Sequence, residues 1–226
     1  MFRTQDRLLT IYNHLYAFFG PRGWWPANSP WEVMVGAILT QNVAWRNVEQ
    51  AILNLKKANL LELPEMHQAE EKELAELIVP TRYYNTKARK LKGLVNYLID
   101  HYQGNLAEFL CQPMDKLRSE LLQLWGLGPE TVDSILLYAA NQPIFVVDAY
   151  TRRIFHRLGI FPEKISYTEM QQFFMQNLPV RVSLFNEYHA LIVALGHQIC
   201  WNRSPKCKTC PLQESQSCPF SVDREI

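Results

Sequence analysis

Four cysteines near the carboxyl end constrain this chain more than any other feature. Cys200, Cys207, Cys210 and Cys218 are separated by six, two and seven residues, so four thiols fall within nineteen positions. Four thiolates at this spacing can bind one compact centre, either a tetrahedral zinc ion or a four-iron cluster. The segment between them is too short to form a hydrophobic core. We therefore predict that a metal centre holds it together.

Disulfide bonds are the alternative use of these cysteines. Disulfides belong mainly to oxidising compartments and to small secreted domains. A chain of 226 residues can bury a full core, and residues 1–10 contain no apolar signal segment, so the sequence favours metal binding. The fifth cysteine, Cys111, lies in the apolar stretch 109–111 and is predicted to be a small buried side chain.

Composition argues against a membrane protein and leaves nucleic-acid binding to local patches. Hydrophobic residues make up 48% of the chain, yet no apolar run approaches the roughly 18 residues of a membrane span, so we expect a soluble protein. The formal net charge is only +1, so affinity for nucleic acid has to come from clustered charge. Basic residues cluster at three places in the chain: Lys87, Arg89, Lys90 and Lys92; Arg152, Arg153 and Arg157; and Arg203, Lys206 and Lys208.

Hydrophobic periodicity is helical almost throughout and predicts an all-α fold. A first amphipathic helix ends at Gly20, and Ser29 with Glu32 predicts a capping box at the start of a second; Ser166 with Glu169 repeats this pattern. Further helices are predicted over 45–58, 70–78, 86–102, 115–124, 129–141, 149–158 and 184–199. The β-branched run 144–147 has no partner of similar quality, so we expect an extended buried connector rather than a strand.

Residues 124–131, with the sequence LWGLGPET, predict a tight turn between two helices. The two glycines allow the backbone to turn closely, so that amide groups and the next helix amino terminus can meet a phosphate. The segment is therefore interpreted as a helix–hairpin–helix that anchors DNA without reading bases. A plain turn between helices is the alternative.

The order of four segments resembles a known family. These segments are Leu39-Thr40-Gln41-Asn42, the turn 124–131, Val146-Val147-Asp148, and Gly196-His197 leading into Cys200. Together they resemble the helix–hairpin–helix (HhH-GPD) DNA glycosylase superfamily, and within it the endonuclease III branch with a [4Fe-4S] cluster. The resemblance covers nearly the whole chain.

The resemblance implies two helical lobes with a DNA-binding cleft between them. A six-helix barrel with the hairpin would occupy 27–142, and an iron–sulfur cluster domain would combine 1–26 with 143–226. The four cysteines would bind the cluster, although their last interval is seven residues where the branch commonly has five, so zinc stays the alternative. We expect a monomer that binds double-stranded DNA containing a damaged base, in the cytoplasm, and at the nucleoid of a bacterium or archaeon.

The resemblance also implies that Asp148 is the catalytic residue, and its position before a helix suits an amino-terminal cap that stays ionised. A purely structural cap is the alternative. Bifunctional members of the branch carry a lysine nucleophile after the hairpin glycines, whereas this chain has Glu130. A carboxylate cannot form the imine, so we predict a monofunctional glycosylase with little or no AP lyase activity.

Aromatic residues indicate which base is removed. Trp24, Trp25, Pro26 and Trp45 resemble the base pocket of 3-methyladenine DNA glycosylases of endonuclease III type. Alkylated purines are cationic and are attracted to indole faces by about 0.5–2 kcal/mol per contact, so an alkylated purine is the predicted substrate. Packing of the tryptophans in the core is the alternative.

Further DNA contacts follow from the same resemblance. Gln41 and Asn42 would fill the gap left by the flipped nucleotide and meet the orphaned base, or else cap a helix end. The remaining predicted contacts to the DNA backbone are Gly126, Leu127, Gly128, Glu130 and Thr131 in the hairpin, and the basic residues Arg152, Arg153, Arg203 and Lys206. Two other functions stay open: a monofunctional uracil or mismatched-thymine glycosylase, and a noncatalytic helix–hairpin–helix DNA-binding protein.

Overall fold

The computed structural model describes residues 4–213 and 218–222, and within these ranges it is helical without any strand. The predicted all-α class is confirmed. The chain divides into two compact units: a terminal unit, Met1–Trp24 with Pro143–Ile226, and a central unit, Trp25–Gln142. The assignment of 27–142 to a six-helix barrel, and of the rest to a cluster domain, stays a prediction.

The central unit contains eight α-helices and one short 3-10 helix, Val79–Thr81. The α-helices are α2 (Pro30–Leu39), α3 (Trp45–Lys57), α4 (Leu63–Gln68), α5 (Glu71–Leu77), α6 (Tyr84–Tyr102), α7 (Leu106–Leu110), α8 (Met114–Gln123) and α9 (Pro129–Tyr138). Every residue of α2 from Trp31 to Leu39 is buried. A helix that is apolar on all sides has to be surrounded by others, and α2 packs against α3, α6 and α9.

The terminal unit contains α1 (Thr4–Phe19), α10 (Ala149–Arg157), α11 (Tyr167–Asn177), α12 (Val182–Gln198) and α13 (Pro219–Val222), with a 3-10 helix at Cys207–Thr209. Helix α12 packs against both α1 and α10. Its Tyr188 hydroxyl donates to the Leu8 carbonyl oxygen at 2.8 Å, which fixes α12 to α1. Residues 144–147 form the predicted buried extended segment, and the Phe145 ring stacks on Phe174 with centroids 4.1 Å apart.

Helix caps follow the sequence closely, with one correction. The Ser29 hydroxyl accepts from the Glu32 amide at 3.1 Å, as predicted. The Glu32 carboxylate, however, does not return to the Ser29 amide: it accepts from the Asn28 amide at 3.1 Å and pairs with the Lys56 ammonium at 2.7 Å. A buried carboxylate gains more from a cation than from a second neutral donor. The second predicted capping box, between Ser166 and Glu169, is confirmed.

The prediction that Cys111 is buried is wrong. Cys111 is exposed at the carboxyl end of the short helix α7, because Phe109, fully buried, takes the core position of that turn. None of the helices in the described ranges is long and apolar enough to cross a membrane.

Candidate functional site

Asp148 is the amino-terminal cap of α10, as its sequence position predicts. Its Oδ1 atom accepts two hydrogen bonds from Thr151, one from the amide at 2.6 Å and one from the hydroxyl at 2.7 Å. The second oxygen, Oδ2, lies 3.7 Å from Nε2 of His189 on α12. Asp148 is 8% exposed and His189 is 6% exposed, so the carboxylate is buried with a separate partner at each oxygen.

These partners decide the ionisation of Asp148. Burial by itself would raise the pKa of this carboxyl group. The imidazole of His189 and the hydrogen bonds from Thr151 outweigh burial and hold the pKa of Asp148 below its ordinary value. The group is therefore an anion at neutral pH, which is the form that can stabilise positive charge.

An aromatic cluster in the central unit contains two of the predicted pocket residues. The Trp25 ring lies edge-on to Trp45 with centroids 5.3 Å apart, and 5.4 Å from the ring of Tyr138. Gly36 of α2 gives Trp25 its space, because a Cβ atom at position 36 would lie 3.2 Å from the indole. Trp25, Trp45 and Tyr138 are only partly buried. The cluster therefore presents aromatic surface as well as packing. The other two predicted pocket residues differ in exposure: Trp24 is partly buried, and Pro26 is exposed.

The hairpin joins α8 to α9 through a turn with Gly126 at φ +81°, a left-handed conformation that glycine adopts without strain. The Lys90 stem lies against Gly126, where a side-chain carbon would collide with it. The two hairpin helices are bridged by Arg118, whose Nε donates to the buried carboxylate of Asp133 at 2.7 Å. Leu127 is buried, whereas Gly128 caps α9 and Glu130 is exposed in its first turn.

Gln41 binds the hairpin. Its Nε2 donates to the Thr131 hydroxyl at 2.8 Å and to the Gly126 carbonyl at 3.3 Å, while its Oε1 accepts from the Lys90 ammonium. Asn42, by contrast, is exposed with φ at +56°. Gln41 therefore has a structural function that the sequence did not reveal.

Lys87 is the least expected charged residue of the central unit. It is 2% exposed, and its ammonium donates to the carbonyl oxygens of Leu39 at 2.8 Å and Thr81 at 2.7 Å. Burial, with a smaller effect from Lys90, lowers the pKa of Lys87 to about 8. The residue caps the carboxyl end of α2 rather than facing solvent, so it does not belong to a basic surface patch.

The predicted basic contacts to DNA separate into two groups. Arg152 donates to the Ile165 carbonyl at 2.7 Å, and Arg153 donates to the Cys200 and Gly196 carbonyls at 2.9 and 3.0 Å. These guanidinium groups hold the terminal unit together. Arg203 and Lys206 are exposed in the cysteine segment, with the Lys206 ammonium 4.3 Å from the centre of the Trp201 ring.

The four cysteines lie close enough to influence one another. Burial raises the pKa of the Cys210 thiol to about 11, and the thiols of Cys200, Cys218 and Cys207 contribute in the same direction. Arg157 connects the segment, since its Nη1 donates to Cys200 Sγ at 3.2 Å and its carbonyl accepts from Cys218 Sγ at 3.4 Å. Across residues 4–213 and 218–222, no three His, Cys, Asp or Glu side chains are placed to share a metal ion.

Comparison with known proteins establishes the family. Residues 35–180 match the model of the HhH-GPD superfamily base excision DNA repair proteins, and this span contains both the hairpin and Asp148. A protein of Methanocaldococcus jannaschii named "Putative DNA repair glycosylase MJ1434" is 45% identical over 92% of this chain and 95% of its own length. The chain belongs to the HhH-GPD superfamily and is a DNA glycosylase of base excision repair, similar to endonuclease III.

Solved structures agree with this assignment. An endonuclease III trapped as a covalent intermediate with DNA superposes with a TM-score of 0.82 at 23% identity, covering 100% of both chains. The 3-methyladenine DNA glycosylase MagIII of H. pylori, bound to 1,N6-ethenoadenine, gives a TM-score of 0.75 at 27% identity over 86% of this chain and 97% of that one. The same fold also occurs in thymine-DNA and 8-oxoguanine glycosylases, so it does not identify the base removed.

Four contributors to these sites escaped the sequence reasoning. His189, Tyr138 and Arg157 are far along the chain from a residue that they contact, and the sequence placed Arg157 only in a basic cluster. Gly36 is close to Trp25 in the chain, but no sequence pattern indicates their contact. Only Thr151 could have been found locally, because an aspartate followed three residues later by a threonine fits the geometry of a capping box.

Proposed function

We propose that this glycosylase is monofunctional and excises cationic, N-alkylated purines such as 3-methyladenine. The observation that carries the proposal is the partly exposed aromatic cluster of Trp25, Trp45 and Tyr138. Aromatic faces attract a cation by about 0.5–2 kcal/mol per favourable contact, and this gain adds to the stacking that any base receives, charged or neutral. A flipped base has to be recognised in a pocket, and ring faces suit a charged purine.

Asp148 is proposed as the catalytic group. As the bond between base and sugar breaks, positive charge develops on the sugar, and an adjacent carboxylate stabilises that charge and orients the attacking water. The low pKa of Asp148, maintained by His189 and Thr151 against the effect of burial, keeps the anion available. A cationic purine already carries the charge that makes it a good leaving group, so the reaction does not depend on a strong general acid.

We propose that the enzyme lacks lyase activity because Glu130 takes the place of the lysine nucleophile. This residue lies in the first turn of α9, just after the hairpin glycines, at the position where the resemblance places the Schiff-base lysine. A carboxylate cannot attack the sugar carbon as an amine does and cannot form an imine. Water is then the nucleophile, and the product is an intact abasic site.

A [4Fe-4S] cluster would be held by the thiols of Cys200, Cys207, Cys210 and Cys218. Zinc is the alternative metal for the same four ligands. Four thiols are a ligand set that suits either centre, and Arg157 adds an N–H donor to Cys200 Sγ, although no three of the metal-binding side chains in the described residues are already placed to share an ion. When bound, the cluster supplies a structural anchor for the segment that carries Arg203 and Lys206. Iron and zinc analysis with visible absorption of freshly purified protein separates the two possibilities.

Excision from a panel of duplexes tests the proposal. Each duplex carries one lesion: a methylated purine, uracil, thymine opposite guanine, or 8-oxoguanine. We expect the methylated purine to be released fastest, leaving strands that break only after alkali. Asp148→Asn should bind the same DNA and lose most excision.

Other outcomes are equally informative. Exclusive release of uracil or thymine would overturn the proposed specificity while leaving the chemistry intact. DNA binding without excision of any lesion in the panel would instead favour a noncatalytic docking protein.

A further inference from the structure

We infer that His189 is a positioning residue for Asp148, holding the Oδ2 side of the carboxylate while Thr151 holds the Oδ1 side. The inference rests on the proposed catalytic function of Asp148. The two oxygens have different neighbours: Oδ1 accepts two hydrogen bonds from Thr151 at 2.6 and 2.7 Å, and Oδ2 lies at 3.7 Å from His189 Nε2, which is an ion-pair distance and longer than a hydrogen bond. A cap alone would need only the first oxygen, so the second contact calls for a separate explanation.

Helix packing determines the position of His189. It lies on α12 next to Tyr188, which is fully buried and fixed to the Leu8 carbonyl on α1 by a 2.8 Å hydrogen bond. Helix α12 also packs along α10, the helix that Asp148 caps. The imidazole is therefore held beside the carboxylate by the packing of α12 against α10, and not by a loop.

Other titratable groups around the pair are directed elsewhere. They are Tyr150, Arg152 and Arg153 on α10, Tyr167 on α11, and Glu187 and Tyr188 on α12. The two arginines donate to backbone carbonyls, the Arg153 guanidinium lies over the Tyr150 ring, the Tyr167 hydroxyl accepts from the Val147 amide, and Glu187 accepts from the Arg22 amide. Of the groups that lower the pKa of Asp148, His189 is the one able to carry charge.

The chemical consequence concerns the form of Asp148 that enters the reaction. A buried carboxyl group without a polar partner shifts toward its neutral form, which cannot stabilise a cationic sugar. His189 opposes this shift and fixes the plane of the carboxylate. Removing the imidazole should therefore raise the pH at which activity appears, instead of lowering the rate equally at all pH values.

The test is the pH profile of single-turnover excision between about pH 3 and 8, on the best substrate of the lesion panel, because the acid limb of a carboxyl group with a pKa below about 4 lies in the lower part of this range. His189→Leu removes the polar group, and His189→Gln keeps an N–H donor near the position of Nε2 without a charge. His197→Gln on the same helix is the matched control, because that side chain is exposed. We expect the acid limb of His189→Leu to move up by about one pH unit or more, giving about a tenfold slower rate below the limb and a rate near wild type above it.

His189→Gln should fall between His189→Leu and wild type, and His197→Gln should match wild type. If His189→Leu does not fold, as judged by thermal unfolding, the Gln variant alone carries the test. An acid limb at the wild-type pH in the folded His189 variants, or an equal loss of rate at every pH, would overturn the inference. Full excision by Asp148→Asn would refute both the proposed catalytic function of Asp148 and this inference. An unchanged acid limb in the His189 variants would refute only the inference, so the two failures can be told apart.

Discussion

Gly36→Ala is the sharpest test of the aromatic cluster, because it moves Trp25 without changing any aromatic residue. The added Cβ would lie 3.2 Å from Cζ2 and Nε1 of Trp25 and 3.4 Å from Cε2. Carbon atoms in contact prefer about 3.5–4.0 Å, so the indole has to retreat by roughly 0.3–0.8 Å. It would retreat into a cluster where Trp45 and Tyr138 already lie in ring contact.

Two opposing energies determine the stability of this variant. Replacing glycine by alanine inside a helix stabilises it by about 0.8–1.0 kcal/mol, whereas overpacking a core costs about 1–3 kcal/mol. We expect Gly36→Ala to lie between no change and a loss of about 2 kcal/mol. Gly93→Ala is the matched control, because Gly93 lies within α6 with nothing within 4 Å of the new atom. That variant should gain about 0.5–1 kcal/mol, which corresponds to about 1–4 °C in Tm.

Activity provides the decisive measurement. If Trp25 stacks on the cationic base, a displaced ring should reduce excision of the methylated purine by about 2- to 30-fold, which corresponds to about 0.5–2 kcal/mol of lost cation–π attraction. Gly93→Ala should excise at the wild-type rate. An equal gain of stability in both variants, with wild-type excision in both, would refute the proposed stacking of Trp25 on the base.

Three further predictions concern other parts of the chain. Glu130→Lys should gain a lyase step, seen as borohydride trapping of a protein–DNA adduct that the wild type does not form; no trapping would mean that position 130 cannot reach the sugar. Arg118→Met leaves the fully buried Asp133 carboxylate without its cation, so thermal unfolding should show a loss of about 3–5 kcal/mol, or about 6–20 °C. Cys210→Ala should lower bound iron per chain and the Tm, and unchanged iron would exclude Cys210 as a ligand.

Local rules predicted the longer helices because their signals are local, but they missed the short helices α4 and α7. Ser29, Asp148 and Ser166 each satisfy amide groups within three residues, so the side chain and its partners are read from one short segment. The same rules fail where a distant residue competes. Glu32 pairs with Lys56, 24 positions away, and no sequence pattern around Glu32 predicts this ion pair.

In the candidate sites, some residues could be predicted from the sequence, but their contacts with residues distant in the chain could not. Asp148 and Trp25 follow from the resemblance, but their contacts with His189 and Tyr138 depend on how whole helices pack. Hydrophobic periodicity shows which face of a helix is buried without showing which helix covers it. Basic patches mislead in a related way, because a run of arginines does not distinguish solvent-facing groups from those, like Arg153, that bind backbone carbonyls.

Gln41 and Asn42 are adjacent residues with the same predicted function, but their side chains have different surroundings in the structure. Gln41 makes hydrogen bonds to Gly126, Thr131 and Lys90, and each intramolecular hydrogen bond contributes about 0.5–1.5 kcal/mol. Inserting Gln41 into DNA would sacrifice these bonds and loosen the hairpin that is proposed to hold the phosphates. Asn42 is exposed, already in a left-handed conformation, and has no such cost. We therefore expect Asn42 to meet the orphaned base, with Gln41 fixing the hairpin.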